Sequence, residues 1–272
     1  MTKIAFIGDI HGDTRSASYS MLYARDHDAE RVFFVGDFGW QFDDGFLTEM
    51  KQIAEQFDYN VEFIDGNHEN FDVLYDYDIE PDGYRHLTNN VLHIPRGTAM
   101  QIDGVDVLFI GGASSIDRHF RMAGLEWWPQ ELITSRDIDK ALDVPNVDVV
   151  VSHETPWLPK LSNKSNEDEI AELGYDFAEA IKTSRQQREL LHEILDVKRP
   201  LFWYHGHHHN RSSYNYQDCD FTCLGRDGDA VSDRVAIVDT QVWKDRKEDR
   251  QNEDSLLFIE DLPTVQGNGE NR

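Results

Sequence analysis

Five short runs rich in Asp, Asn, Glu and His recur along the chain: Gly8-Asp9-Ile10-His11-Gly12, Gly36-Asp37-Phe38-Gly39, Gly66-Asn67-His68-Glu69, Ser152-His153-Glu154-Thr155-Pro156 and His205-Gly206-His207-His208-His209-Asn210. Each follows directly on an apolar stretch. Their side chains are oxygen and nitrogen donors, and mixed carboxylate–imidazole sets suit borderline divalent cations such as Mn, Fe, Zn and Co better than Ca. Asp9 and His11 stand two residues apart, as do His207 and His209. Just beyond a strand, alternate side chains share a direction, so each pair can offer donors to one ion. The adjacent glycines permit tight turns and close backbone approach. Taken singly, a Gly-Asp after a strand is a turn and a lone histidine is a packed structural residue. Yet seven of the 12 histidines fall inside these runs, His11, His68, His153, His207 and His209 together with His205 and His208. That joint pattern calls for a common site.

The elements that must position these donors are legible from apolar patterning. KIAFIG (3–8), RVFFVG (31–36), VEFID (61–65), VDVLFI (105–110), VDVVV (147–151) and LFWY (201–204) read as strands. Residues 16–27, 45–57 and 185–196 read as helices between them. This alternation predicts an α/β fold with mainly parallel, buried strands. In such sheets ligands bind where the carboxyl ends of the strands converge. Residues 212–216 and 234–239 read as antiparallel strands, 156–172 as a polar loop, and 244–272 as an acidic, flexible C-terminal tail following one domain, 1–243. The apolar island LLFI (256–259) within that tail reads as a docked segment or a partner-binding motif.

Composition bounds the partners. The 272 residues carry 26 Lys and Arg against 52 Asp and Glu, a formal net charge of −26. Broad electrostatic binding of nucleic acid or an anionic membrane needs a basic face, which this balance opposes. A small phosphorylated substrate stays open, because a bound cation inverts the local field. Two cysteines, Cys219 and Cys223, are too few for a disulfide scaffold and fit a reducing compartment. No run of about 18 apolar residues predicts a membrane span. The N-terminal MTKIAFIGDIHGD lacks the pattern of an export signal, so the expected location is the cytoplasm.

In order and residue type, GDIHG, GDFG, GNHE, SHETP and GHHH resemble the motif set of the calcineurin-like metallophosphoesterases: Asp-x-His, Gly-Asp, Gly-Asn-His-Asp/Glu, a later His, and Gly-His-x-His. The likeness spans positions 9 to 209. The run GGASSIDR (111–118), with Trp127-Trp128-Pro129 after it, is similar to a bacterial and phage subgroup of unassigned substrate. The resemblance implies a four-layer αββα sandwich of two mixed sheets. It implies two divalent ions, Mn²⁺ first, with Fe, Zn, Co or Ni as alternatives. Asp9, His11 and His209 correspond to ligands of one ion, and Asn67, His153 and His207 to ligands of the other. Asp37 corresponds to the carboxylate bridging both, and His68 to the catalytic histidine beside the leaving group, as an imidazolium. His205 and His208 fall outside the ligand pattern.

The implied chemistry is hydrolysis of a phosphomonoester or phosphodiester by a metal-bound hydroxide. A metal-dependent nuclease and a non-catalytic scaffold are the competing functions. Protein Ser/Thr phosphatases of this superfamily carry Gly-Asp-x-Val-Asp-Arg-Gly. Here Gly36-Asp37-Phe38-Gly39-Trp40-Gln41 lacks the second Asp and the Arg, which leaves His68 without its usual partner and the phosphate without its usual guanidinium. Arg118, Arg121 and Arg211 are the candidate replacements, because a guanidinium fork matches phosphate oxygens. Trp127 and Trp128 either wall the cleft or pack in the core.

Overall fold

The computed structural model describes residues 2–158 and 178–260. Two six-stranded sheets lie face to face. The first runs β12 (Val235–Asp239), β1 (Lys3–Ile7), β2 (Ala29–Phe34), β3 (Val61–Phe63), β5 (Val91–His93), β4 (Arg85–His86). The second runs β10 (Ser212–Tyr216), β11 (Cys219–Cys223), β9 (Phe202–His205), β8 (Val149–Ser152), β7 (Val105–Ile110), β6 (Thr98–Ile102). In each sheet four central strands pair in parallel and antiparallel strands close the edges.

Side-chain alternation along the strands builds the layers. Ile4 and Phe6 of β1 join Val149 and Val151 of β8 in the core between the sheets. Ala5 and Ile7 face the other way, onto α1 (Thr14–Asp26) and α2 (Asp44–Phe57). Val150, Leu108 and Trp203 turn outward onto α4 (Ser135–Asp143) and α5 (Ala178–Lys198). Strands covered on both faces have no polar side to show, which is why residues 4–7 of β1 and 149–151 of β8 are all apolar. The result is the four-layer αββα sandwich. Phe6 lies at its centre, fully buried and stacked on Tyr204 at 4.4 Å. Replacing Phe6 by Ala is expected to cost about 3–5 kcal/mol. Urea unfolding measures this, and a loss under about 1 kcal/mol would contradict the packing described.

Several elements extend the sequence reading. The helix read at 185–196 is the longer α5, and α3 (Phe71–Asp76), α4, β4, β5, β6 and β11 add to the strands and helices foreseen. Residues 244–260 are not irregular. α7 (Thr240–Glu260), which follows the single turn α6 (Val231–Arg234), carries them as helix as far as Glu260. It is docked by buried Trp243, whose Nε1 donates to Tyr204 Oη at 3.1 Å, and by Lys247, which bonds Asp148 at 2.6 Å. The loop expected at 156–172 lies outside the described residues beyond Leu158, as do the side chains of LLFI and all of 261–272. Among the described residues no helix is long and apolar enough to cross a membrane.

Candidate metal centre

The carboxyl ends of β1, β2, β3, β8 and β9 all meet at one edge of the sandwich, and each delivers one of the five polar runs. Asp9, His11, Asp37 and His209 each bring one ligand atom into a group whose members lie within 4.8 Å of one another. Asp37, His153 and His207 form a second such group. Asp37 belongs to both. Asn67 joins the second group, its Oδ1 3.2 Å from His153 Nε2. His207 and His209 thus part company, one in each group, where their spacing alone had suggested a common ion. The reason lies in the backbone. His11, Asp37, His207 and His209 all have left-handed conformations, φ 44°, 46°, 64° and 49°, so the donors converge through tight turns rather than by strand alternation. Non-glycine residues adopt this region at a cost of about 1–3 kcal/mol each, and such strain gathers at functional sites.

Close approach also explains the glycines in the motifs. A Cβ on Gly66 would collide with Asp37 Oδ1, and one on Gly206 with Asp9 Oδ1. Glu69, fully buried, accepts the N–H groups of Phe38 and Gly66, each at 2.7 Å, and so locks the second run to the third.

The donor atoms are oriented from behind. Asp37 Oδ1 accepts the N–H groups of Asn67 and His68, both at 2.9 Å. Its Oδ2 is buried with no hydrogen-bond partner, and lies 3.3 Å from His153 Nε2 and 3.4 Å from His11 Nε2. A buried carboxylate oxygen left without a donor is costly unless a cation completes it. Oxygen and imidazole donors, two groups and one shared anion fit a pair of divalent ions. His11 Nδ1 bonds Asp227 at 2.6 Å and His153 Nδ1 donates to the Val35 carbonyl at 2.8 Å, so both rings turn Nε2 toward Asp37. Such outer partners fix tautomer and ring orientation in metal sites. Asp9 accepts the His207 N–H on both oxygens.

Electrostatics match this reading. Burial opposes ionisation of Asp37, but the charge of His153 first, and the closeness of the His68 and His11 rings, hold its pKa well below the ordinary carboxylate value. Burial pushes the pKa of His207 down to about 3, leaving that ring neutral. His205 behaves likewise, held near Tyr214 at 3.3 Å, while His208 bonds the buried Glu154 at 2.9 Å. Neither adds a donor to the two groups.

His68 sits beside both groups, its Nε2 3.9 Å from Asp37 Oδ2. Its partner is Arg121, whose Nη1 approaches His68 Nδ1 at 2.8 Å. A guanidinium can only donate, so Nδ1 accepts from Arg121. Burial and Arg121 lower its pKa against the pull of Asp37. The second guanidinium nitrogen, Nη2, lies 3.4 Å from Nε2, so Arg121 faces both ring nitrogens. Arg121 is itself held by two bonds to Asp117, at 2.8 and 2.7 Å, and lies over Trp40. It lines a cavity of about 940 Å³ together with Trp40, His68 and the metal-type donors. Arg118 and Arg211 do not line this cavity. Arg118 bonds Thr183 at 3.2 Å beside Glu179, and Arg211 is solvent-exposed. Trp128 packs in the first core, with its Nε1 donating to Asp72.

Comparison with known proteins agrees with the geometry. The family model for calcineurin-like phosphoesterases matches residues 2–211. The chain belongs to this family. It is accordingly a hydrolase of phosphoric ester bonds. No curated protein matches this phosphoesterase significantly. Among solved structures it is similar to TT1561 of Thermus thermophilus, at TM-score 0.54 and 10% identity, covering 88% of this chain and 98% of that one. It is also similar to phosphopantetheinyl hydrolase of Mycobacterium tuberculosis, at TM-score 0.50 and 11% identity, covering 87% and 95%. At such identities the likeness speaks for the fold.

Proposed function

We propose that this phosphoesterase is a two-metal enzyme hydrolysing a small phosphomonoester or phosphodiester. Asp9, His11 and His209 would hold one divalent ion and Asn67, His153 and His207 the other, with Asp37 common to both sets. The observation that carries the reading is Asp37, shared by both donor groups, whose buried Oδ2 faces a ring nitrogen of each. When bound, such ions supply Lewis-acid charge at the phosphoryl oxygens and lower the pKa of water to make a nucleophile at neutral pH. Mn²⁺ is the first ion to supply, as the family resemblance implies; the mixed oxygen and imidazole donors suit Fe, Zn and Co as well.

The chain's own residues supply the rest. His68 presents Nε2–H to the leaving oxygen, which gains negative charge as its bond to phosphorus breaks. Arg121, fixed by Asp117 at the cavity wall, offers its guanidinium to a phosphate oxygen. The free, buried thiols of Cys219 and Cys223 favour a reducing compartment, the cytoplasm.

The test is turnover of p-nitrophenyl phosphate and bis-p-nitrophenyl phosphate by the purified chain with added Mn²⁺. Hydrolysis of at least one is expected, abolished by chelation and restored by Mn²⁺. No turnover above an Asp37→Ala control with any of several divalent metals would overturn the assignment.

A further inference from the structure

We infer that Ser115 and Glu131 are positioning residues that fix which end of the Asn67 amide faces the second ion. This rests on the two-ion reading above. A side-chain amide ligates a cation through its carbonyl oxygen only; turned over, it presents an NH₂ group instead. The shape of asparagine does not decide between the two, so its partners must.

The chain of donors leaves one solution. Asn67, 3% exposed, has Nδ2 at 3.0 Å from Ser115 Oγ. A hydroxyl can donate or accept, so Ser115 alone would tolerate either amide orientation. Glu131 removes the choice. Its Oε1 accepts the Ser115 N–H at 2.8 Å and its Oε2 accepts the Ser115 O–H at 2.7 Å. The single hydroxyl proton is thereby committed, and Ser115 Oγ can only accept from Asn67. The NH₂ must face Ser115, and Oδ1 must face the metal donors.

Glu131 is fully buried and is itself held firmly. It ends the 3₁₀ turn Pro129–Glu131. The carbonyls of Gln130, Glu131 and Leu132 accept bonds from Arg96, at 2.9, 3.1 and 2.7 Å. Arg96 in turn pairs with fully buried Asp65. A buried carboxylate is expensive unless fully hydrogen-bonded. Here both oxygens are used, and both bonds end on one serine.

An isosteric exchange tests polarity without changing shape. In Glu131→Gln, the Ser115 N–H still requires the remaining oxygen. The new NH₂ then takes the place of Oε2 and donates to Ser115 Oγ. That frees the hydroxyl proton from Glu131 and lets it donate to Asn67, so the turned-over amide, with NH₂ at the ion, is no longer excluded.

The experiment is Mn²⁺ titration calorimetry of the full chain, with melting of the metal-free proteins in parallel. Burial pushes the Glu131 carboxyl up to about 7, so the titration is run at about pH 8, where it is ionised. Wild type is expected to bind two ions. Glu131→Gln should keep one at wild-type affinity, bind the other about 10–100-fold more weakly, and melt within a few degrees of wild type. In an Asn67→Ala background, Glu131→Gln should add nothing further. Ser115→Ala, which removes the hydroxyl, should weaken the same ion and serves if Glu131→Gln fails to fold. Unchanged affinity for both ions, or equal weakening of both with a lowered melt, would overturn the inference. Wild type binding fewer than two ions would instead overturn the two-ion reading, and this one with it.

Discussion

Asp37→Asn is expected to lower kcat/KM by at least about 10³ while leaving the fold intact. The retained oxygen still accepts the N–H groups of Asn67 and His68 that Asp37 Oδ1 accepts now. The new NH₂ takes the place of Oδ2, the oxygen that faces both donor groups and has no other partner. Two dications held close repel strongly, and the anion between them is what lets both bind. Losing it removes several kcal/mol of stabilisation from the charged transition state, and each 1.36 kcal/mol is about tenfold in rate. Metal analysis and turnover of p-nitrophenyl phosphate check the result. A variant that retained two ions and a rate within tenfold of wild type would show that Asp37 is not the bridge.

How much of this was readable from the sequence follows from distance along the chain. Asp9, Asp37, Asn67, His153 and His207 each lie within a few residues of a strand end, so identifying the strand also identified the donor. The residues that orient them are different. Asp227 follows β11, a strand not foreseen, and reaches His11 from 216 residues away. Glu131 meets Ser115 because the loop after β7 folds back under a 3₁₀ turn. Neither partner leaves a local signal, because packing between layers defines it. Arg118 and Arg121 looked equivalent by composition, yet the turn Arg118–Phe120 sends one to Glu179 and the other to His68. The start of α7 was missed for a related reason. Its run KDRKEDRQNED carries charge on every face, so no apolar stripe marks a helix there.

Metal binding should be steeply linked to pH. In the metal-free protein, burial lowers the pKa of His11, but the bond and charge of Asp37, with Asp9 and Asp227, raise it overall to about 9. Burial likewise opposes the charge on His153, yet Asp37 and Asp9 raise it to about 10. Protons on these rings thus occupy the positive role that the ions would take. Ligation needs the neutral imidazole, so each ion must displace a proton: one from His11 in the first donor group, one from His153 in the second. Below about pH 9, affinity for each ion should therefore rise about tenfold per pH unit, and the product for both about 100-fold. Mn²⁺ calorimetry in buffers of different ionisation enthalpy should register about two protons released near pH 7. The metal-free fold carries the opposite dependence. Both histidines have raised pKa values, so the stability they contribute is full below their unfolded value of about 6.5 and is lost as pH climbs through about 9 and 10. Alkaline conditions should thus weaken the empty protein while tightening its hold on metal, widening the gap between melting temperatures with and without Mn²⁺. A gap independent of pH, with no proton release, would mean that these rings are already neutral and that Asp37 is not charge-paired with them.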